Sequence, residues 1–139
     1  MSGDDIASGP ASANDRADRQ ARLKYHGNPR SNLDYIVMLE GRIAHDGHHI
    51  RLTYVPDKLL LAAESFEAYM DAFGAATPTM IELLAFEILD DINNEIVPRW
   101  VQVVITTRHD AGARPQTVIV EDRQPNWDNP RLLAQMHNA

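Results

Sequence analysis

Between Leu33 and Glu40 the chain alternates: Leu33, Tyr35, Val37 and Leu39 fall on one side, Asp34, Ile36, Met38 and Glu40 on the other. A period of two with one wholly apolar face predicts a strand. After the polar stretch GRIAHDGHH, Ile50, Leu52 and Tyr54 alternate with Arg51 and Thr53, and Pro56-Asp57 closes the run. The two strands are close enough in sequence to pair as an antiparallel hairpin. The period then lengthens. Phe66, Tyr69, Met70 and Phe73 recur at helical spacing, with Gly74 placed to end that helix in the left-handed conformation. Thr77-Pro78 reads as an N-cap with Pro at the first helical position. Ile81, Leu84, Ala85, Ile88, Leu89, Ile92 and Ile96 then mark one face of a longer helix that stops before Pro98. From Trp100 to Thr107 β character returns, with Val101, Val103 and Ile105 on one face. A polar turn over residues 108–115 leads to a last strand over Thr117–Glu121.

The predicted order is ββααββ, an α+β fold in which two antiparallel helices cover one face of a four-stranded antiparallel sheet. Its domain runs over residues 31–122. Gly, Ser, Asp, Asn and Ala dominate the first fifteen positions, a composition that cannot bury enough surface to offset chain entropy. Residues 1–30 are therefore expected to be a flexible tail, with Asp15 to Tyr25 able to form a short charged helix. Residues 123–139, with Pro125, Trp127 and Pro130, form a C-terminal tail suited to packing on a partner. An ordered core of about 90 residues buries only about 60–65% of its surface alone, and four strands leave two open edges. Both point to a homo-oligomer.

Composition narrows the chemistry. Lys plus Arg number 13 against 20 Asp plus Glu, a formal charge of −7, which argues against nucleic acid as a partner. No apolar run is long enough to span a membrane. The start, MSGDDIASGP, has neither a basic leader nor an apolar stretch, so the expected location is the cytoplasm. The chain has no Cys, which excludes disulfides, thiolate metal sites and a cysteine nucleophile.

Three short words stand in a telling order: Asn32-Leu33-Asp34-Tyr35 at the first strand, Tyr54-Val55-Pro56-Asp57 after the second, and Pro98-Arg99-Trp100 entering the third. With Ser65 and Tyr69 in the first helix and Asp91 in the second, the chain resembles the tunnelling fold over about residues 29 to 107. Within it, the chain is similar to the QueF-type nitrile reductases of 7-cyano-7-deazaguanine. The resemblance implies barrels built from several subunits, with sites between them. It implies that Glu82 anchors a planar purine-, deazapurine- or pterin-like ring, a role for which a carboxylate offers two coplanar acceptors. Ser65 and Tyr69 fall at substrate-side positions of the first helix. Asp46 takes the place of the catalytic Asp, with His45 and His48 beside it as proton-transfer partners. Plainer readings stand beside these. Thr79-Met80-Ile81-Glu82 also spells a capping box, and Asp46-Gly47 is a favoured turn pair in a polar hairpin loop.

The departures from the family are as informative. Its reductases use a Cys nucleophile, and this chain has none. Where they carry two lysines for NADPH in Glu-Ser-Lys-Ser-x-Lys-x-aromatic, this chain has Glu64 and Glu67. Two carboxylates there repel the cofactor's phosphates. The expectation is a non-redox enzyme without a cofactor, acting on a small heterocycle in specialised biosynthesis. The alternative is an inactive homologue that binds the heterocycle or a protein. Zinc is a secondary candidate, because Asp46-Gly47-His48 is one residue away from the His-Gly-His that holds zinc in related synthases.

Overall fold

A computed structural model describes residues 13–44, 46–74, 80–108 and 114–138. In chain order the elements are α1 (Ala13–Arg22), β1 (Tyr25–Gly27), β2 (Val37–Arg42), β3 (His49–Val55), β4 (Leu59–Leu61), α2 (Ala63–Asp71), α3 (Ile81–Ile96), β5 (Trp100–Thr106), β6 (Thr117–Arg123) and α4 (Pro130–Ala134). A single-turn 3₁₀ helix over Gln135–Asn138 follows. The main sheet is antiparallel with order β2-β3-β5-β6, so β2 and β6 are its outer strands. The expected ββααββ core is present.

Cross-strand register sorts the side chains. Leu39 faces Leu52, which faces Val103, which faces Val120; Gly41, Ile50, Ile105 and Val118 form the next row. These rows meet Phe66, Tyr69 and Met70 of α2 and Leu84, Ile88 and Ile92 of α3 in one buried cluster. The helical period and the strand period thus supply the two halves of one core. At Gly41 the sheet comes so close to α2 that an added Cβ would lie 2.0 Å from the Met70 methyl carbon.

Several boundaries differ from expectation. The first strand begins at Val37, and Leu33 to Tyr35 are held by side-chain bonds rather than by a ladder. Gly74 is not left-handed, and α2 ends at Ala72 in a right-handed conformation. The left-handed residue is instead Val97, with φ 44°, which closes α3 just before Pro98. Proline forbids a further helical turn, so a β-branched residue is forced into a conformation that ordinarily suits glycine. Thr77-Pro78 lies outside the described residues. The long helix starts at Ile81 after an extended Met80, and its N-cap makes no side-chain bond. Glu82 is therefore the second helical residue, not the third that a capping box requires.

The expectation of a flexible tail over residues 1–30 does not hold for its second half. α1 lies on α2 and α3, β1 pairs with β4, and Leu23 is buried in the core. The missed signal has a physical cause. α1 docks through a charged residue, and β1 and β4 are three residues each, too short to show periodicity. Arg19, with its side chain 3% exposed, sits 3.1 Å from both Asp91 and Glu87, and its guanidinium lies 4.7 Å above the centre of the Phe73 ring. The C-terminal stretch is likewise attached, since Trp127 Nε1 and Asn129 Nδ2 both donate to Asp34 Oδ2, at 3.1 and 3.0 Å.

Candidate functional site

The three words that carry the resemblance converge on one side chain. Arg99 donates to Asp34 Oδ1 and Asp57 Oδ1 at 3.1 Å each, and to the carbonyls of Ser31 and Leu33. Asp57 Oδ2 takes a further bond from Gln124 at 3.0 Å. A guanidinium's fan of five donors suits it to holding two carboxylates and two carbonyls at once. This clamp ties the approaches to β2, β4 and β5 together, so its role is architectural.

The chemistry-bearing residues collect at the opposite end of the sheet, around the β2–β3 turn. Gly47, with φ 77°, makes the reversal, and its amide donates to Ile43 O at 2.8 Å. Asp46 Oδ1 accepts from the His48 amide at 2.9 Å, the Asx arrangement expected of an Asp-Gly turn. Asp46 Oδ2 lies 3.7 Å from His48 Nε2, too far for a hydrogen bond but close enough for charge to matter. His48 Nδ1 accepts from the Arg108 amide at 3.2 Å. An acceptor at Nδ1 places the neutral ring's proton on Nε2, facing Asp46. His49, the next residue, turns to the other side, where its Nε2 is 2.9 Å from Glu40 Oε1.

Glu82 stands at the same end. Its carboxylate accepts from Gln116 Nε2 at 3.1 Å, while the Gln116 backbone is bonded to Thr107 in both directions, at 2.9 Å each. Thr107 precedes Arg108, whose amide holds His48. Glu82, Gln116, Thr107, Arg108, His48 and Asp46 are thereby linked in sequence by hydrogen bonds, one peptide bond and the Asp46–His48 charge contact. Beside this chain lies a cleft of about 750 Å³ lined by Arg42, Gly47, His49, Thr106, Thr107 and Arg108. Asp46 and His48 flank Gly47 of that lining, and Glu82 is joined to it only through Gln116; none of the three lines the cleft.

Ser65 and Tyr69 are placed elsewhere. Ser65 is buried at the start of α2, where its hydroxyl accepts from the Lys24 amide at 3.0 Å and meets the Ala62 carbonyl at 2.7 Å. Tyr69 is fully buried, and its hydroxyl donates to Asp91 Oδ2 at 2.5 Å. Burial, and then the neighbouring Asp91 carboxylate, hold that phenol well above its ordinary pKa. Burial pulls the Arg19 guanidinium down, but Asp91, Tyr69 and Glu87 outweigh it, so its pKa is raised. Asp91 lies nine residues beyond Glu82 on α3, about 13 Å along a helix axis. Within one chain, Ser65 and Tyr69 are thus separated from the turn end. His45 lies outside the described residues. Among the described residues no three His, Asp or Glu side chains converge on a metal position. None of their helices is long and apolar enough to cross a membrane.

Sequence reasoning missed Gln116 and Arg108 at this end and Arg19 in the core. Gln116 sits in a turn-rich stretch with no pattern to single it out, and its contact with Glu82 joins positions 34 apart in sequence.

Compared with known proteins, the chain is 27% identical over 128 residues to the NADPH-dependent 7-cyano-7-deazaguanine reductases of two strains of Acidithiobacillus ferrooxidans. The match covers 82% of this chain and 86% of each relative. The chain is similar to these reductases over most of its length. A solved structure, the archaeosine synthase QueF-Like in its apo form, aligns with a TM-score of 0.48 and 19% identity, over 64% of this chain and 90% of that one. No protein-family model matches the sequence.

Against the relatives' name, two features of this QueF-like chain stand out. It contains no cysteine anywhere. Glu64 and Glu67, which replace the resemblance's NADPH lysines, are exposed on α2, where their charge meets anything approaching that face.

Proposed function

We propose that this QueF-like chain is a non-redox enzyme acting on a purine-, deazapurine- or pterin-like heterocycle, with Glu82 pairing to the ring and Asp46 moving protons. The observation that carries the reading is the connected row from Glu82 to Asp46 at one end of the sheet. A ring held in plane by a carboxylate, with a proton donor–acceptor nearby, serves hydration, cyclisation, ring opening or elimination. None of these needs a thiolate or a hydride donor. In the proposed site His48 acts through Asp46: its Nε2 proton faces Asp46 Oδ2 and stabilises the carboxylate, while His45 stands next to it in sequence. Ser65 and Tyr69 support the site by fixing α2. Subunits close a barrel through the free edges of β2 and β6, which brings further residues to the turn end.

A second reading rests on one observation. Asp46 Oδ1 and His48 Nδ1 are both engaged with backbone amides, as expected if the turn is only built to hold its shape. On that reading the chain binds the heterocycle without turning it over.

Thermal denaturation against guanine, 7-deazaguanines, guanosine and pterins tests the proposal. A ligand present at about 100 times its Kd adds about 2.7 kcal/mol, a rise of several degrees. That rise should vanish in Glu82→Ala and persist in Asp46→Asn, while turnover of the bound compound is lost in Asp46→Asn. Ligands that shift the parent and Glu82→Ala equally overturn the ring anchor. Binding without turnover in the parent selects the second reading.

A further inference from the structure

Strand alternation sends Val118 and Val120 of β6 to the helix side of the sheet, where both pack against the core. Two residues before Val118 the same side carries Gln116, just beyond the last ladder pair, Thr106 with Thr117. Its backbone is fixed there. The amide donates to Thr107 Oγ1 at 2.9 Å, and the carbonyl accepts from the Thr107 amide at 2.9 Å. α3 packs on β6, and from this rim position the Gln116 side chain reaches the first turn of α3, where its Nε2 donates to Glu82 Oε2 at 3.1 Å. Apolar residues hold the rest of the row to the helices; at the rim a polar one takes over.

The chemistry of the pair sets its orientation. An ionised carboxylate only accepts, so the end of the amide turned toward it must be the NH₂ group. That group has two hydrogens, and Glu82 Oε2 takes one. Among the described residues the second hydrogen has no acceptor, and Glu82 has neither another donor nor a cation. A lysine or arginine in place of Gln116 would hold the carboxylate as well but would neutralise it. A neutral amide positions Glu82 and leaves its charge to the N–H groups of a ligand.

Side by side, the pair offers one donor followed by two acceptors. The complementary edge is a ring oxygen followed by a ring N–H and an exocyclic NH₂, the order that guanine, 7-deazaguanine and pterin share. A ring with an amine in place of that oxygen would set donor against donor, and a polar site rejects a ligand that leaves its groups unpaired more strongly than one good bond attracts.

We infer that Gln116 is a specificity-determining residue of the ring site: its second amide N–H reads the ring oxygen beside the N–H held by Glu82, so that oxo rings are taken and amino rings refused. This rests on the ring-binding reading of Glu82 and deepens it.

Calorimetric titration of the full chain with guanosine, 6-thioguanosine and inosine tests it, since each analogue changes one group of the edge. Sulfur is a weak acceptor in place of the ring oxygen, and inosine lacks the NH₂ that Glu82 alone receives. Guanosine should bind about 5-fold tighter than 6-thioguanosine and at least ~10-fold tighter than inosine. In Gln116→Met, which keeps the length of the side chain and removes its donor, the advantage over 6-thioguanosine should vanish while the advantage over inosine remains. In Glu82→Ala the advantage over inosine should vanish. An oxygen preference that is absent in the parent, or that survives Gln116→Met, overturns the role of Gln116 and leaves the ring reading intact. Loss of both preferences together in Gln116→Met overturns that role too, because Gln116 would then act only by holding Glu82. An advantage over inosine that is absent in the parent, or that survives Glu82→Ala, overturns the ring anchor and the role of Gln116 with it. Binding of none of the three overturns both.

Discussion

Replacing Arg19 with Met removes a buried charge while keeping most of the apolar stem. In the parent, Arg19 Nε and NH2 lie 3.1 Å from Asp91 Oδ2, and NH2 lies 3.1 Å from Glu87 Oε1. Asp91 is fully buried and Glu87 is 4% exposed. In Arg19→Met two carboxylates face each other without the cation, and the contact over Phe73 is lost as well. Breaking a buried pair in this way costs about 3–5 kcal/mol, a large part of the roughly 5–15 kcal/mol that holds a typical domain together. At about 3–4 °C per kcal/mol for a chain of this size, the melting temperature should fall by roughly 10–20 °C. The loss has a ceiling, because α1 can swing away and let water reach both carboxylates. Limited proteolysis should then cut within residues 13–24 in Arg19→Met and spare the parent. Arg19→Met combined with Glu87→Gln and Asp91→Asn removes these three charges together and should recover most of the loss. A single-variant loss below about 1 kcal/mol, or a triple variant no more stable than Arg19→Met, would refute the docking argument.

Tyr69 and Tyr54 give the fold an alkaline limit: burial raises both phenols, and Tyr69 much further. Above the ordinary value near 10 the unfolded chain releases these protons while the folded chain keeps them. Stability therefore falls as pH rises, by about 1.4 kcal/mol per pH unit for each phenol. Urea unfolding between pH 9 and 11 should show this slope, and Tyr69→Phe should flatten it; an unchanged slope contradicts the assignment. Arg99→Ala should cost about 2 kcal/mol by releasing Asp34 and Asp57 together, whereas Arg99→Lys, one point charge in place of a planar fork, should recover less than half. Urea midpoints measure both, and a fully restoring lysine would mean that the clamp is purely electrostatic. Val97→Gly should raise stability by about 1 kcal/mol, since glycine accepts the left-handed φ without strain. A lower urea midpoint for Val97→Gly would show that the Val97 side chain earns its place by packing.

Residues whose role is set by periodicity were legible in the sequence. Ile50, Leu52 and Tyr54, Ile81 through Ile96, and Val101, Val103 and Ile105 all face the core as their spacing requires, because burial of a regular face is a local property of each element. The family resemblance was legible in words that turn out to meet at Arg99. Partnerships across the chain were not. Residues 13–27 looked like tail because they dock by a buried charge, the single core residue Leu23 and one three-residue strand that pairs with another as short. Ser65 and Tyr69, carried to a substrate role by position, are occupied inside the core by Lys24 and Asp91.

The sequence by itself determined the order of elements and the apolar faces, along with the absence of cysteine and the acids at positions 64 and 67. The tertiary structure alone decided that Glu82 meets Gln116, that Arg108 lies across Gly47, and that Arg42 and His49 share a row. Composition and period are one-dimensional and survive in the unfolded chain, whereas a site made from four separate segments exists only once strand register fixes which residues stand side by side.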